Sequence, residues 1–90
     1  MTRAVEVRIT GEVQGVSFRA YAAREAERVD VRGWVRNDDD GTVSAHVEGE
    51  DDAVEQLLVW CRTGSPGAHV EDVEVTDVAP TGDESFDVRD

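Results

Sequence analysis

Residues 11–19 read GEVQGVSFR. Upstream, residues 4–10 alternate, with Val5, Val7 and Ile9 set against Glu6, Arg8 and Thr10, the period-two pattern of a half-buried strand. Downstream, over residues 19–29, Phe18, Ala22, Ala26 and Val29 fall at helical spacing, with Arg24, Glu25, Glu27 and Arg28 on the other side. The stretch is therefore a strand-to-helix loop, bracketed by Gly11 and Gly15. Successive backbone N–H groups in such a loop can point into one concavity, and at a helix N-terminus that concavity is an anion site. Arg19 falls in the first helical turn, where a cation opposes the helix dipole by roughly a few tenths of a kcal/mol. A bound anion would remove that penalty. Taken alone, Gly15 and Arg19 are better read as a permissive turn and a side chain facing solvent.

Outward from this loop the patterns continue. Residues 31–37 alternate, with Val31, Gly33 and Val35 opposite Arg32, Trp34 and Arg36. The polar tract Asn37-Asp38-Asp39-Asp40-Gly41 follows, and Val43, Ala45 and Val47 resume the alternation over 42–48, which reads as a hairpin. Asp52 and Glu55 have the spacing of a capping box before the apolar stripe Val54, Leu57, Leu58 and Cys61, and Gly64 is a stop signal. After Ser65-Pro66-Gly67 comes a Val-rich strand over 68–78, with Val70 out of phase with Val73 and Val75. Residues 79–84 are a turn, and Phe86 and Val88 mark a short last strand. The order β-α-β-β-α-β with an extra C-terminal strand predicts an α+β fold, a ferredoxin-like α/β sandwich. Two helices lie on one face of an antiparallel sheet. The first and second strands are expected to run antiparallel to each other, flanking the third. With no internal repeat or linker, residues 1–90 are expected to form a single domain with no appended segment.

Composition bounds the function. At 90 residues and 39% hydrophobic content a core can form without staples. The lone Cys61 cannot make an internal disulfide, which fits a reducing compartment. No apolar run is long enough to span a membrane and the N-terminus is no secretory signal, so a soluble, cytoplasmic monomer is expected. The net charge is −12, with +2 on residues 1–37 and −14 on residues 38–90, and every basic residue is Arg. That balance argues against nucleic acid and anionic membrane as partners. A small anion would be met by the locally positive first third. An acid excess without Lys suits a salt-loving host, where carboxylates keep the surface hydrated; drift in a GC-rich proteome gives the same composition.

The inventory for chemistry is short. No nucleophilic triad is available. His46 and His69 read as surface residues, and Cys61 lies on a buried helix face. A calcium loop through Asp38-Asp39-Asp40-Gly41 would need Arg36 and Val47 as end ligands, so no metal is expected and the acid run reads as a solvated turn. Trp34 could be a binding aromatic, whereas Trp60 reads as partial core. The loop, Arg19 and Asn37 remain, and an Asn at a strand end by itself usually just starts a turn.

Two long motifs give these residues a context. Ile9 to Arg19 (ITGEVQGVSFR) resembles the first signature of the acylphosphatase family. Gly33-Trp34-Val35-Arg36-Asn37, continuing through Gly41, Val43 and Gly49, resembles the second. Ser65-Pro66-Gly67-Ala68 with Val70 and Val73, and Phe86-x-Val88-Arg89 at the end, extend the resemblance over nearly the whole chain. It implies a ferredoxin-like sandwich that hydrolyses small-molecule acyl phosphates to carboxylate and inorganic phosphate, with no cofactor. It also implies that the backbone of Gln14, Gly15, Val16, Ser17, Phe18 and Arg19 cradles phosphate, that Arg19 is catalytic, and that Asn37 holds the attacking water. Two departures stand out. Asp38-Asp39-Asp40 is expected to weaken affinity for a dianion, and Asp90, where the family often has Tyr, is expected to loosen the last strand. The alternatives are an anion- or partner-binding domain without turnover, which has no need of a water-holding amide, and an RNA-binding ferredoxin-like domain. The latter needs aromatics and a basic face on the first and third strands, which these lack.

Overall fold

The elements are β1 (Thr2–Glu12), α1 (Phe18–Val29), β2 (Arg32–Asn37), β3 (Val43–Glu50), α2 (Asp51–Thr63), β4 (His69–Val78) and β5 (Phe86–Arg89). They belong to a computed structural model that describes residues 2–90. The alternating valines of β1, β2 and β3 put Val5, Val7, Ile9, Val35, Val43, Ala45 and Val47 on one face of the sheet. The helices lay Phe18, Ala22 and Ala26 of α1 and Val54, Leu57, Leu58 and Cys61 of α2 onto that face, which makes one core. Each large side chain so buried stabilises the fold by about 1.5–3 kcal/mol. Gly33 is required where β2 crosses β3, because its φ is +135° and a Cβ there would lie 1.7 Å from the His46 carbonyl oxygen.

The sheet order is β4-β1-β3-β2-β5. β1 and β2 are each antiparallel to β3, so they run parallel to each other and not antiparallel as the sequence pattern suggested. Ile9 and Asn37 flank Val43 in one row, and the C-terminal ends of β1 and β2 lie at the same end of the sheet. β5 adds to β2 in parallel, making the otherwise antiparallel sheet mixed. β4 is an outer strand carrying the exposed acids Glu71, Asp72, Glu74 and Asp77.

The connection from β4 to β5 joins opposite edges of the sheet, four strand spacings or about 19 Å apart. The helices occupy one face, so residues 79–85 cross the other. This crossing overturns the surface assignment of His46: it is 2% exposed, and Glu48, two residues on, is 1% exposed. The Glu48 carboxylate accepts from the backbone N–H groups of Thr81 (2.8 Å), Gly82 (2.9 Å) and Asp83 (2.8 Å) and from His46 Nε2 (2.8 Å). Burial alone would raise its pKa, but these donors outweigh burial and hold it down at about 2. His69 is exposed as expected.

The capping box at Asp52 and Glu55 does not form. α2 follows β3 with no intervening loop, so the N-cap falls on Glu50, and Asp51 and Asp52 sit inside the first turn, where the helix dipole favours acids. Glu55 instead accepts from Arg3 Nη1 at 2.7 Å. Gly64 does end the helix, its N–H donating to the Trp60 carbonyl. Trp60 is half-buried against Phe18, with ring centroids 5.1 Å apart.

Candidate active site

Because β1 and β2 are parallel, the loop leaving β1 and the last residue of β2 meet. Val13, Gly15, Ser17, Phe18, Arg19, Ala20, Asn37 and Val88 line one cleft of about 400 Å³. Two of the loop residues have left-handed backbones, Gly15 at φ 76° and Ser17 at φ 59°. For Ser17, the N-cap of α1, this conformation costs about 1 kcal/mol, and its side chain makes no capping bond in return. Among the described residues no protein acceptor meets the N–H groups of Gly15, Val16 and Ser17.

The loop is tied from both sides. Gln14 Nε2 donates to the carbonyls of Asp38 (2.8 Å) and Thr42 (2.9 Å), which couples the loop to the β2–β3 turn next to Asn37. Ser65 Oγ donates to the Val16 carbonyl at 2.8 Å from the α2–β4 loop. The Gln14 side chain thus serves the turn, a role its place in the loop motif did not reveal, and Ser65 had no signal beyond its Ser-Pro-Gly loop.

Arg19 is half-buried in the cleft. Its Nη1 donates to the Arg89 carbonyl at 2.6 Å and lies 3.7 Å from the Asp90 carboxylate. Among the described residues Nε and Nη2 have no protein partner. The Asn37 side-chain amide is also without a protein partner among the described residues. Val88 and Arg89 belong to the C-terminal stretch that carries the resemblance, but that stretch did not place Val88 at the cleft or the Arg89 carbonyl on Arg19.

The acid run is not simply solvated. Asp38 is half-buried and accepts from Arg36 Nε (3.2 Å), Thr42 Oγ1 (3.0 Å) and Ser44 Oγ. Burial would raise its pKa, but those bonds outweigh burial and keep it below the usual carboxylate range. Asp40 pairs with Arg8 and accepts from Thr42. Neither lines the cleft. Two other groups are also set aside for chemistry. Burial pushes the Cys61 thiol up to about 12, so it is no nucleophile. His46, Glu48 and Asp83 bring ligand atoms within 4.8 Å of one another, but both Glu48 oxygens are already taken by the crossing loop.

A ferredoxin-like sandwich with an arginine-centred cleft where two parallel strands end is the class that fold and site define. The chain matches the acylphosphatase family over residues 5–88. It is 57% identical over 89 residues to an acylphosphatase of a Nocardioides species, covering 99% of this chain and 90% of that one. The solved acylphosphatase of Coxiella burnetii superposes with a TM-score of 0.95 at 33% identity, covering 98% of this chain and 93% of that one. That of Bacillus subtilis superposes at 0.94 with 33% identity, covering 99% of each. The chain belongs to the acylphosphatase family. Hydrolysis of acyl phosphates is the activity this membership supports.

Proposed function

We propose that this cleft carries out the hydrolysis, with Arg19 and Asn37 as its catalytic residues and the backbone of Gln14 to Arg19 as its phosphate loop. The phosphoryl group lies against the loop N–H groups and the two unpaired nitrogens of Arg19, a charge-assisted clamp. The Asn37 amide orients a water for attack on phosphorus. The water oxygen forms a bond to phosphorus while the bond from phosphorus to the acyl oxygen breaks, and the carboxylate leaves with its electron pair. A neutral amide takes no proton, so one water proton passes to a phosphoryl oxygen and dihydrogen phosphate results. A carboxylate leaves without protonation, so positioning and charge stabilisation suffice. No step calls for a metal or organic cofactor.

The observation that carries this assignment is the convergence of Arg19 and Asn37 on one cleft. The test is phosphate release from benzoyl phosphate without added metal. The expected result is turnover that Arg19→Ala abolishes, together with loss of inorganic phosphate binding. Full activity in a folded Arg19→Ala protein would remove the guanidinium from the mechanism.

Composition supports the remaining attributes of this reading. The 90 residues act as one unit, a cytoplasmic monomer, and the −12 charge suits a high-salt host and disfavours nucleic acid and anionic membranes as partners. Among the described residues no helix is long and apolar enough to cross a membrane.

A further inference from the structure

The sheet face away from the helices bears on the cleft through a single residue of β5. In β5, Val88 lines the cleft. Strand geometry sends the side chain of the next residue, Arg89, to the opposite face. There the Arg89 guanidinium lies over the Trp34 indole, 4.9 Å from the ring centroid. Arg36 lies over the same ring, also at 4.9 Å. His46 stacks beside it, with centroids 6.3 Å apart and planes within 20°. The main-chain carbonyl of Arg89 accepts from Arg19 Nη1 at 2.6 Å. β5 is only four residues long and pairs on one side only, so its end has few other restraints.

We propose that Trp34 is a positioning residue for Arg19 and acts through Arg89. The indole holds the Arg89 side chain on the open face, which fixes the peptide whose carbonyl orients the Arg19 guanidinium. Neither Trp34 nor the Arg89 side chain lines the cleft. The proposal rests on the assignment of Arg19 as the phosphate clamp.

The test uses Trp34→Leu, Trp34→Phe, Arg89→Met, Arg89→Lys and the double variant Trp34→Leu/Arg89→Met, with Arg19→Ala as reference. Arg89→Met keeps the carbonyl and most of the side-chain volume and removes only the cation. Four quantities are read: inorganic phosphate affinity by calorimetry, kcat and KM for benzoyl phosphate, and melting temperature. Exposed cation–π contacts translate to a loss of about 2- to 5-fold in phosphate affinity for Trp34→Leu and for Arg89→Met. KM rises by a similar factor. The double variant loses no more than the worse single one, because both act through one contact. Arg89→Lys and Trp34→Phe, which keep a cation and a ring, recover most of the affinity. Unchanged phosphate affinity in a folded Arg89→Met protein overturns the proposal. So do losses that multiply in the double variant, or losses that track melting temperature without rescue by Lys. If Trp34→Leu fails to fold, the Arg89 pair, exposed at the sheet edge, decides alone. If Arg19→Ala itself leaves phosphate binding intact, it is the clamp assignment that falls.

Discussion

Glu48→Gln tests whether the crossing loop is held by charge. The Glu48 carboxyl has a pKa of about 2 against an ordinary 4.5. At about 1.4 kcal/mol per unit this difference corresponds to about 3 kcal/mol of stability at neutral pH. A lowered folded-state pKa stabilises above the unfolded value, so the contribution is complete above about pH 4.5 and is lost as pH falls toward 2. Hydrogen bonding gives a similar figure. Gln can keep an oxygen on Gly82 and Asp83 but turns its NH₂ toward the Thr81 N–H. Neutral His46 can switch tautomer and accept from that NH₂ through Nε2, but the Thr81 N–H is left unpaired, at about 1–3 kcal/mol, and the remaining bonds become neutral. Of a total stability of about 5–15 kcal/mol this is a large share. Urea unfolding at pH 7 should show Glu48→Gln less stable by about 3 kcal/mol. At pH 3 the gap should narrow to about 1 kcal/mol, because the wild type has by then lost most of its linkage term. A variant within about 0.5 kcal/mol of wild type at pH 7, or a gap that stays constant with pH, would refute the charge-held clasp.

Asn37→Ala should lower kcat at least about a hundredfold while inorganic phosphate still binds within about twofold, because the water loses its anchor and the anion does not; near-normal turnover would exclude the amide. Arg19→Lys should recover little of the activity lost in Arg19→Ala, since an ammonium cannot reproduce the planar fork, and a Lys variant close to wild type in initial rate would mean that charge alone suffices. Ser17→Gly should raise stability in urea by roughly 0.5 kcal/mol, the relief of the left-handed strain less the added chain entropy of Gly; a loss would show that the hydroxyl contributes. The melting temperature should rise with KCl into the molar range, as the Debye length falls from roughly 30 Å at 0.01 M to roughly 3 Å at 1 M and repulsion among the acids of residues 38–90 is screened; a flat profile would sever the acidity from salt adaptation.

Much of the fold was legible because period two and period 3.6 report burial on one face of each element, and the valines of β1, β2 and β3 obey them. Those periods are silent about what covers the other face. His46 and Glu48 sit at polar positions of β3 and are buried by a loop that arrives more than thirty residues later, so no local pattern could reveal them. Strand direction was lost for a related reason: alternation carries no sign, and only the ladder between β1, β3 and β2 fixes it. In the site, Arg19 and Asn37 were visible as residue types in motifs. The atoms that fix the surroundings were not, since the Arg89 carbonyl that accepts from Arg19 and the Asp38 and Thr42 carbonyls that accept from Gln14 are common to every residue.

The outer strand β4 has a consequence for how molecules meet one another. One side of its ten residues pairs with β1, and the other presents bare N–H and C=O groups, a template on which a second sheet could grow. Glu71, Asp72, Glu74 and Asp77 guard that template, because edge-to-edge docking of two molecules would bring their carboxylates together. The guard is electrostatic, so acid that protonates the carboxylates or salt that screens them removes it. Salt therefore acts in opposite senses on the single molecule and on the solution: it relieves repulsion within each sandwich while lowering the barrier to fibre-like association between sandwiches. Light scattering over a KCl series should rise where the melting temperature is highest.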